Sequence, residues 1–84
     1  MLIWHEKAWE DYLYWQKQDK KTIKRINQII RDIQRSPFEG IGKPEPLKGE
    51  LIGWWSRRID DYNRLVYVIE KENCVIMQCK GHYL

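Results

Sequence analysis

The prolines and glycines of this 84-residue chain are not scattered. All three prolines (Pro37, Pro44, Pro46) and four of the five glycines (Gly40, Gly42, Gly49, Gly53) fall between residues 36 and 53. Proline fixes φ and removes a backbone donor, and glycine frees the backbone. No long helix and no central strand can therefore cross this stretch. It reads as a loop with fixed kinks, and the residues before and after it follow different hydrophobic periods.

Before the loop the period is helical. Ile23, Ile26, Ile30 and Ile33 recur at three- and four-residue steps with Ile29 alongside, which draws an apolar stripe along one face. Asp19 stands near the start, where an acid suits the helix dipole, and Ser36-Pro37 followed by Gly40 ends the helix. An earlier helix is expected from about Glu6 to Gln18, with Trp9, Tyr12, Leu13 and Gln16 on its apolar face. The break near Gln18-Asp19 is short, so the two helices should form an antiparallel hairpin. Leu2-Ile3-Trp4 suits a first strand.

After the loop the period is that of strands. Three runs, Trp54 to Ile59, Arg64 to Glu70 and Asn73 to Lys80, are rich in β-branched or aromatic residues and are separated by short polar turns. The expected fold is α+β with the order β-α-α-β-β-β, a two-helix hairpin packed on one face of a small, mainly antiparallel sheet. Alternation puts Trp54, Ser56 and Arg58 on one face and Trp55, Arg57 and Ile59 on the other. Arg64, Val66 and Val68 likewise oppose Leu65, Tyr67 and Ile69. One face packs on the helices; the other can stay wet and carry function.

Length and composition set outer bounds. Residues 1–84 have room for one domain, which buries only about two-thirds of its unfolded surface. A multi-domain enzyme with a large cofactor pocket is excluded. The longest apolar run, Leu65 to Ile69, is five residues, against the ~20 a spanning helix needs. The first residues carry neither a basic nor an apolar signal region, so a cytoplasmic protein without a membrane partner is expected. Cys74 and Cys79 are too few to staple a fold and read as reduced, buried thiols.

The net charge is +3, but residues 17–35 alone hold seven basic and two acidic residues. Lys17, Lys20, Lys21, Lys24, Arg31 and Arg35 form a stripe that is either a solvated helix face or a surface for polyanion phosphate. Metal chemistry is poorly served: His5 and His82 lie at opposite ends, and no His-x-x-x-His or Cys-x-x-Cys pair exists. Phosphate-cradling glycine loops are absent. What remains is Glu45, pinned between Pro44 and Pro46, with Lys43 and Lys48 nearby, then Arg57, Arg58 and Arg64, then His82-Tyr83 at the end of the chain. A carboxylate, an imidazole and guanidiniums without a metal suit RNA cleavage through the substrate's own 2′-hydroxyl. One group takes the 2′ proton, another protonates the departing oxygen, and a cation steadies the crowded phosphorus. Two other classes stay open on these residues, a non-catalytic RNA- or ribosome-binding module and a protein-interaction domain.

Several blocks together carry a resemblance. They are Asp11-Tyr12-Leu13-Tyr14-Trp15, Pro37-Phe38-Glu39-Gly40, Gly42-Lys43-Pro44-Glu45-Pro46-Leu47-Lys48, Trp55-Ser56-Arg57-Arg58-Ile59, Arg64-Leu65-Val66-Tyr67 and His82-Tyr83. In this order they resemble the YoeB (Txe/YoeB) toxins of bacterial type II toxin–antitoxin systems, a RelE-like group. The resemblance implies a microbial-ribonuclease-type fold and cleavage of mRNA in the ribosomal A site, leaving a 2′,3′-cyclic phosphate and a 5′-hydroxyl. It implies Glu45 as general base, His82 as general acid and Arg64 at the scissile phosphate. Lys48 and Arg58 would bind phosphate, and Tyr83 would orient the nucleotide. No cofactor is implied. The implied partners are a cognate YefM-like antitoxin, the ribosome with its mRNA, and operator DNA for the toxin–antitoxin complex only; a homodimer stays open. The basic stripe then has a use against ribosomal RNA. Leu84 extends the chain one residue past the His-Tyr pair.

Overall fold

One residue joins the two helices, and it caps both. The computed structural model describes residues 1–82. In it α1 spans Glu6–Gln18 and α2 spans Lys20–Arg35. The Asp19 N–H donates to the Trp15 carbonyl at 2.8 Å and closes α1. Its carboxylate accepts from the Lys21 N–H at 3.0 Å and the Thr22 hydroxyl at 2.9 Å, and so starts α2. The Thr22 hydroxyl is the main reason the Asp19 carboxyl lies below the ordinary value. His5 opens α1 in the same way, its Nδ1 accepting from the Lys7 N–H at 3.3 Å. Lys17 therefore sits in the last turn of α1 and does not belong to the α2 stripe.

Five strands make one sheet: β1 (Leu2–Trp4), β2 (Glu45–Pro46), β3 (Trp55–Arg58), β4 (Arg64–Glu70) and β5 (Asn73–Gln78), in the spatial order β1-β5-β4-β3-β2. β1 runs parallel to β5 and every other pairing is antiparallel. The expected order holds, with β2 and a 3-10 turn at Gly49–Leu51 added inside the proline–glycine stretch. Two prolines around Glu45 do not forbid β2 because it is an edge strand, bonded on one side only.

The helices cover one face of the sheet. Ile26, Ile29 and Ile33 of α2 are fully buried with Ala8, Leu65, Tyr67 and Ile76. Each isoleucine removed from water contributes about 1.5–3 kcal/mol. On β5 the alternation breaks. Val66 pairs with Gln78 but Tyr67 pairs with Ile76, so Met77 is an extra residue, a β-bulge. Cys74 and Ile76 point into the core, Gln78 joins Val66 on the opposite face, and Cys79 is buried again. Both cysteines are free. Burial pushes the Cys74 thiol up to about 11 and that of Cys79 to about 12.

Candidate functional site

The antiparallel register draws one row across four strands on the face away from the helices. Glu45 lies opposite Ser56, Ser56 opposite Val66, and Val66 opposite Gln78. Directly opposed residues share a face, and strands lie ~4.8 Å apart, so the row is roughly 14 Å long. One step along the strands lies a second pair, Arg58 opposite Arg64. Three neighbouring strands thus bring an acid from residue 45 and cations from residues 58 and 64 to one face.

The arm that carries Glu45 is held down from below. Arg57 faces the helices and is fully buried, and all its donors are used. Nε donates to the Tyr67 hydroxyl at 3.2 Å, and Nη1 to Asp32 Oδ2 at 2.6 Å and the Ile41 carbonyl at 3.1 Å. Nη2 donates to the carbonyls of Ser36 at 2.7 Å and Glu39 at 3.2 Å. Arg57 is thus withdrawn from the site inventory: it staples the loop 36–41 to α2, and Arg58 alone of the pair reaches the surface. Asp32 also accepts from the Ile41 N–H at 2.9 Å and pairs with Arg35. The Ile41 bond first, then the Arg57 guanidinium, hold its carboxyl down to about 2. Gly40, at φ 133°, passes so close that a Cβ would stand 1.9 Å from Asp32 Oδ2, so no side chain fits there. Beyond it Arg58 donates its N–H to the Gly42 carbonyl at 2.6 Å, and the loop runs along β3 into Glu45.

The C-terminal tail is fixed by its neighbours too. The Cys79 N–H donates to Asp11 Oδ2 at 3.1 Å, and its carbonyl accepts from Trp15 Nε1 at 2.8 Å. Both backbone groups of residue 79 are therefore gripped by α1. Two residues on, the Gly81 N–H donates to Asn63 Oδ1 at 2.7 Å, and the Gly81 carbonyl accepts from the Arg64 N–H at 2.9 Å. His82 follows, with Nδ1 3.3 Å from the Tyr62 carbonyl and its ring 5.9 Å from the Tyr62 ring. His82 is exposed, and this contact ties it to the turn before β4.

The turn before β4 serves Arg64. Asp60 Oδ1 accepts from the N–H groups of Tyr62 at 2.9 Å and Asn63 at 2.6 Å. Burial works against the Asp60 charge, but the Asn63 bonds and the Tyr62 N–H overcome it and leave the carboxyl below its ordinary value. Arg64 is 8% exposed, and its Nη1 donates to the carbonyls of Asp60 at 2.8 Å and Asn63 at 3.2 Å. Carbonyls fix a guanidinium without cancelling its charge, and among the described residues Arg64 makes no ion pair with a carboxylate. That suits a cation kept for a phosphate.

A groove of about 510 Å³ opens on this face, lined by Lys48, Leu51, Trp54, Val66, Gln78 and His82 among others. Lys48 and His82 are thus brought together across it. Tyr83 lies outside the described residues. The stripe residues Lys20, Lys21, Lys24, Arg31 and Arg35 are exposed. Lys20, Lys24, Arg31 and Arg35 fall within ~60° of arc on α2, opposite its buried isoleucines, so they point away from the sheet and from the groove. Asp11, Trp15, Asp32 and Asn63 escaped the sequence reading because each acts on a backbone group remote in the chain. Asn63 and Gly81 alone left a signal, a turn amide and a glycine flanking Arg64 and His82.

Comparisons with known proteins agree with one another. A family model described as "YoeB-like toxin of bacterial type II toxin-antitoxin system" matches residues 4–83. Toxin YoeB of Escherichia coli O6:H1 is 56% identical over 82 residues, 98% of each chain. A heterotetrameric YoeB–YefM toxin–antitoxin complex from Staphylococcus aureus superposes with TM-score 0.92 at 45% identity, covering 99% of this chain and 97% of that one. A YoeB dimer from the same organism superposes with TM-score 0.91 at 46% identity, covering 98% and 95%.

Proposed function

Because the chain belongs to the YoeB-like toxin family of bacterial type II toxin–antitoxin systems, we propose that it is a ribosome-dependent endoribonuclease (an mRNA interferase) acting in the ribosomal A site. Glu45 takes the proton of the 2′-hydroxyl, and the 2′-oxygen attacks the adjacent phosphorus. The bond from phosphorus to the 5′-oxygen breaks, and His82 protonates that leaving oxygen. The products are a 2′,3′-cyclic phosphate and a 5′-hydroxyl. Arg64 stabilises the charge on the phosphorane, Arg58 and Lys48 hold flanking phosphates, and Tyr83 orients the nucleotide. The nucleophile belongs to the RNA, so no metal or cofactor is required.

The observation that supports this reading most is the register that sets Glu45, Arg58 and Arg64 on one sheet face, with His82 lining the groove that opens beside them, although 37 positions of sequence separate Glu45 from His82. Lys20, Lys21, Lys24, Arg31 and Arg35 on α2, with Lys17 at the end of α1, meet ribosomal RNA on the far side. A YefM-like antitoxin neutralises the protein by covering the groove or displacing the tail, and only their complex binds operator DNA. The dimer seen for the Staphylococcus aureus relative supports a homodimer here.

The test is a primer-extension map of mRNA cuts in a translating extract, with and without ribosomes. Glu45→Ala and His82→Ala should each lose cutting while still sedimenting with ribosomes. If either variant cuts at the parental rate, its assignment fails. If the parent binds ribosomes and cuts nothing, the chain is a non-catalytic ribosome-binding module.

A further inference from the structure

The groove between Lys48 and His82 holds more than the reaction needs. Trp54 has its backbone fixed on both sides: its N–H donates to the Leu51 carbonyl at 3.0 Å, and its carbonyl accepts from the Leu47 N–H at 2.9 Å. It shares a strand face with Ser56 and Arg58, and with Leu51 and Val66 it forms the apolar wall of the groove. Gln78 lies beside Val66 on the neighbouring strand and lines the same groove, and the Met77 bulge puts it there. A bulge leaves a residue out of the ladder, and its recurrent use beside active sites is to re-aim a side chain. Among the described residues the Gln78 amide makes one hydrogen bond, from Nε2 to the Lys80 carbonyl at a long 3.4 Å. A better acceptor would displace it. An aromatic plane, an apolar floor and one adaptable amide, rimmed by a lysine, are the parts with which proteins hold an unstacked base of single-stranded RNA. The volume, about 510 Å³, lies within the range of small-ligand sites.

We propose that this groove is a nucleobase-reading subsite, in which Trp54 stacks on a base flanking the scissile linkage and Gln78 reads its edge. The proposal rests on the RNA-cleaving reading above and adds a specificity to it. The amide offers one acceptor and donors side by side. Adenine presents the matching pair, the N6 amino group and N7. Guanine presents two acceptors, N7 and O6, along the same edge and suits arginine instead. The subsite therefore takes adenine in preference to guanine.

One message is prepared with each of the four bases in turn at the positions flanking a single cut site, and cuts are mapped in a translating extract. The parent should favour adenine over guanine at one flanking position by about tenfold. Gln78→Ala should level that ratio while cutting continues, and Trp54→Leu should raise KM for every base with a smaller change in kcat. A parent indifferent to the base, or a Gln78→Ala variant that keeps the ratio, overturns the subsite and leaves the ribonuclease standing. A parent that cuts nothing overturns the ribonuclease, and a second measurement then decides the subsite. Fluorescence anisotropy of labelled hexauridylate carrying a single central adenine or guanine should show tighter binding of the adenine strand by the parent, and no difference for Gln78→Ala. Equal binding of both strands by the parent overturns the proposal on its own.

Discussion

Arg57 and Arg58 are neighbours in sequence with opposite roles. Arg57→Leu removes the buried partner of Asp32, leaving it the exposed Arg35 and the Ile41 N–H, and frees three carbonyls from their donor. Breaking such a buried pair costs about 3–5 kcal/mol, which in a chain of this size lowers Tm by more than about 12 °C; calorimetry checks it. Arg58→Ala should leave Tm almost unchanged and reduce mRNA cutting, which the extract assay reads. Acid denaturation belongs to the same cluster. The Asp32 carboxyl titrates from an ordinary 3.8 in the unfolded chain but at about 2 in the folded one. The stability it lends is complete above pH ~3.8 and is lost as pH falls toward ~2, where the folded carboxylate also takes up its proton. Urea midpoints measured from pH 5 to pH 2 should fall steeply in that window, and Asp32→Asn, though weaker throughout, should show a shallower slope. Alternation in the sequence separates the two arginines onto different faces but is silent about which face is inside. That is decided by Asp32 and the carbonyls of residues 36, 39 and 41, which no local pattern connects to residue 57.

At the level of elements, the boundaries of α1 and β4 and the two polar turns were legible because each rests on residues within a few positions, but the inner face of α1 was not: Trp9, Leu13 and Gln16 are exposed, and Ala8 and Asp11 are buried instead. β2 was not: its pairing with β3 depends on partners nine and eleven residues away, and two prolines argue against it locally. The bulge at Met77 was also hidden, since a strand read alone gives no sign that its partner skips a residue. The hold of α1 on the tail yields a direct test. Trp15→Phe keeps an aromatic ring but removes the bond to the Cys79 carbonyl and part of the indole's packing, a loss of at least about 1 kcal/mol and at least about 4–8 °C in Tm. Cutting should fall further than that stability loss explains, because residue 79 sets the course of the chain toward His82. An unchanged cutting rate in a folded Trp15→Phe sample would show that α1 does not position the tail.

Across the whole molecule, the sheet separates two positive surfaces. Arg58, Arg64 and Lys48 face one way, and the exposed cations of α2 face the other. The proposed contact of the α2 cations with ribosomal RNA is therefore a contact with a different RNA element from the one proposed to be cut. Replacing Lys20, Lys24 and Arg31 by glutamate should weaken ribosome association. It should also flatten the dependence of log K on log salt, by roughly 0.7–0.9 for each phosphate contact removed. An unchanged slope would reduce the stripe to a solvated face. The strand order has its own consequence. β5, which bridges β1 and β4, is the last strand to be synthesised, and the imidazole comes after it. A chain cut short before β5 leaves β1 without a partner and β2, β3 and β4 as the remaining sheet, and it lacks the imidazole proposed as the acid.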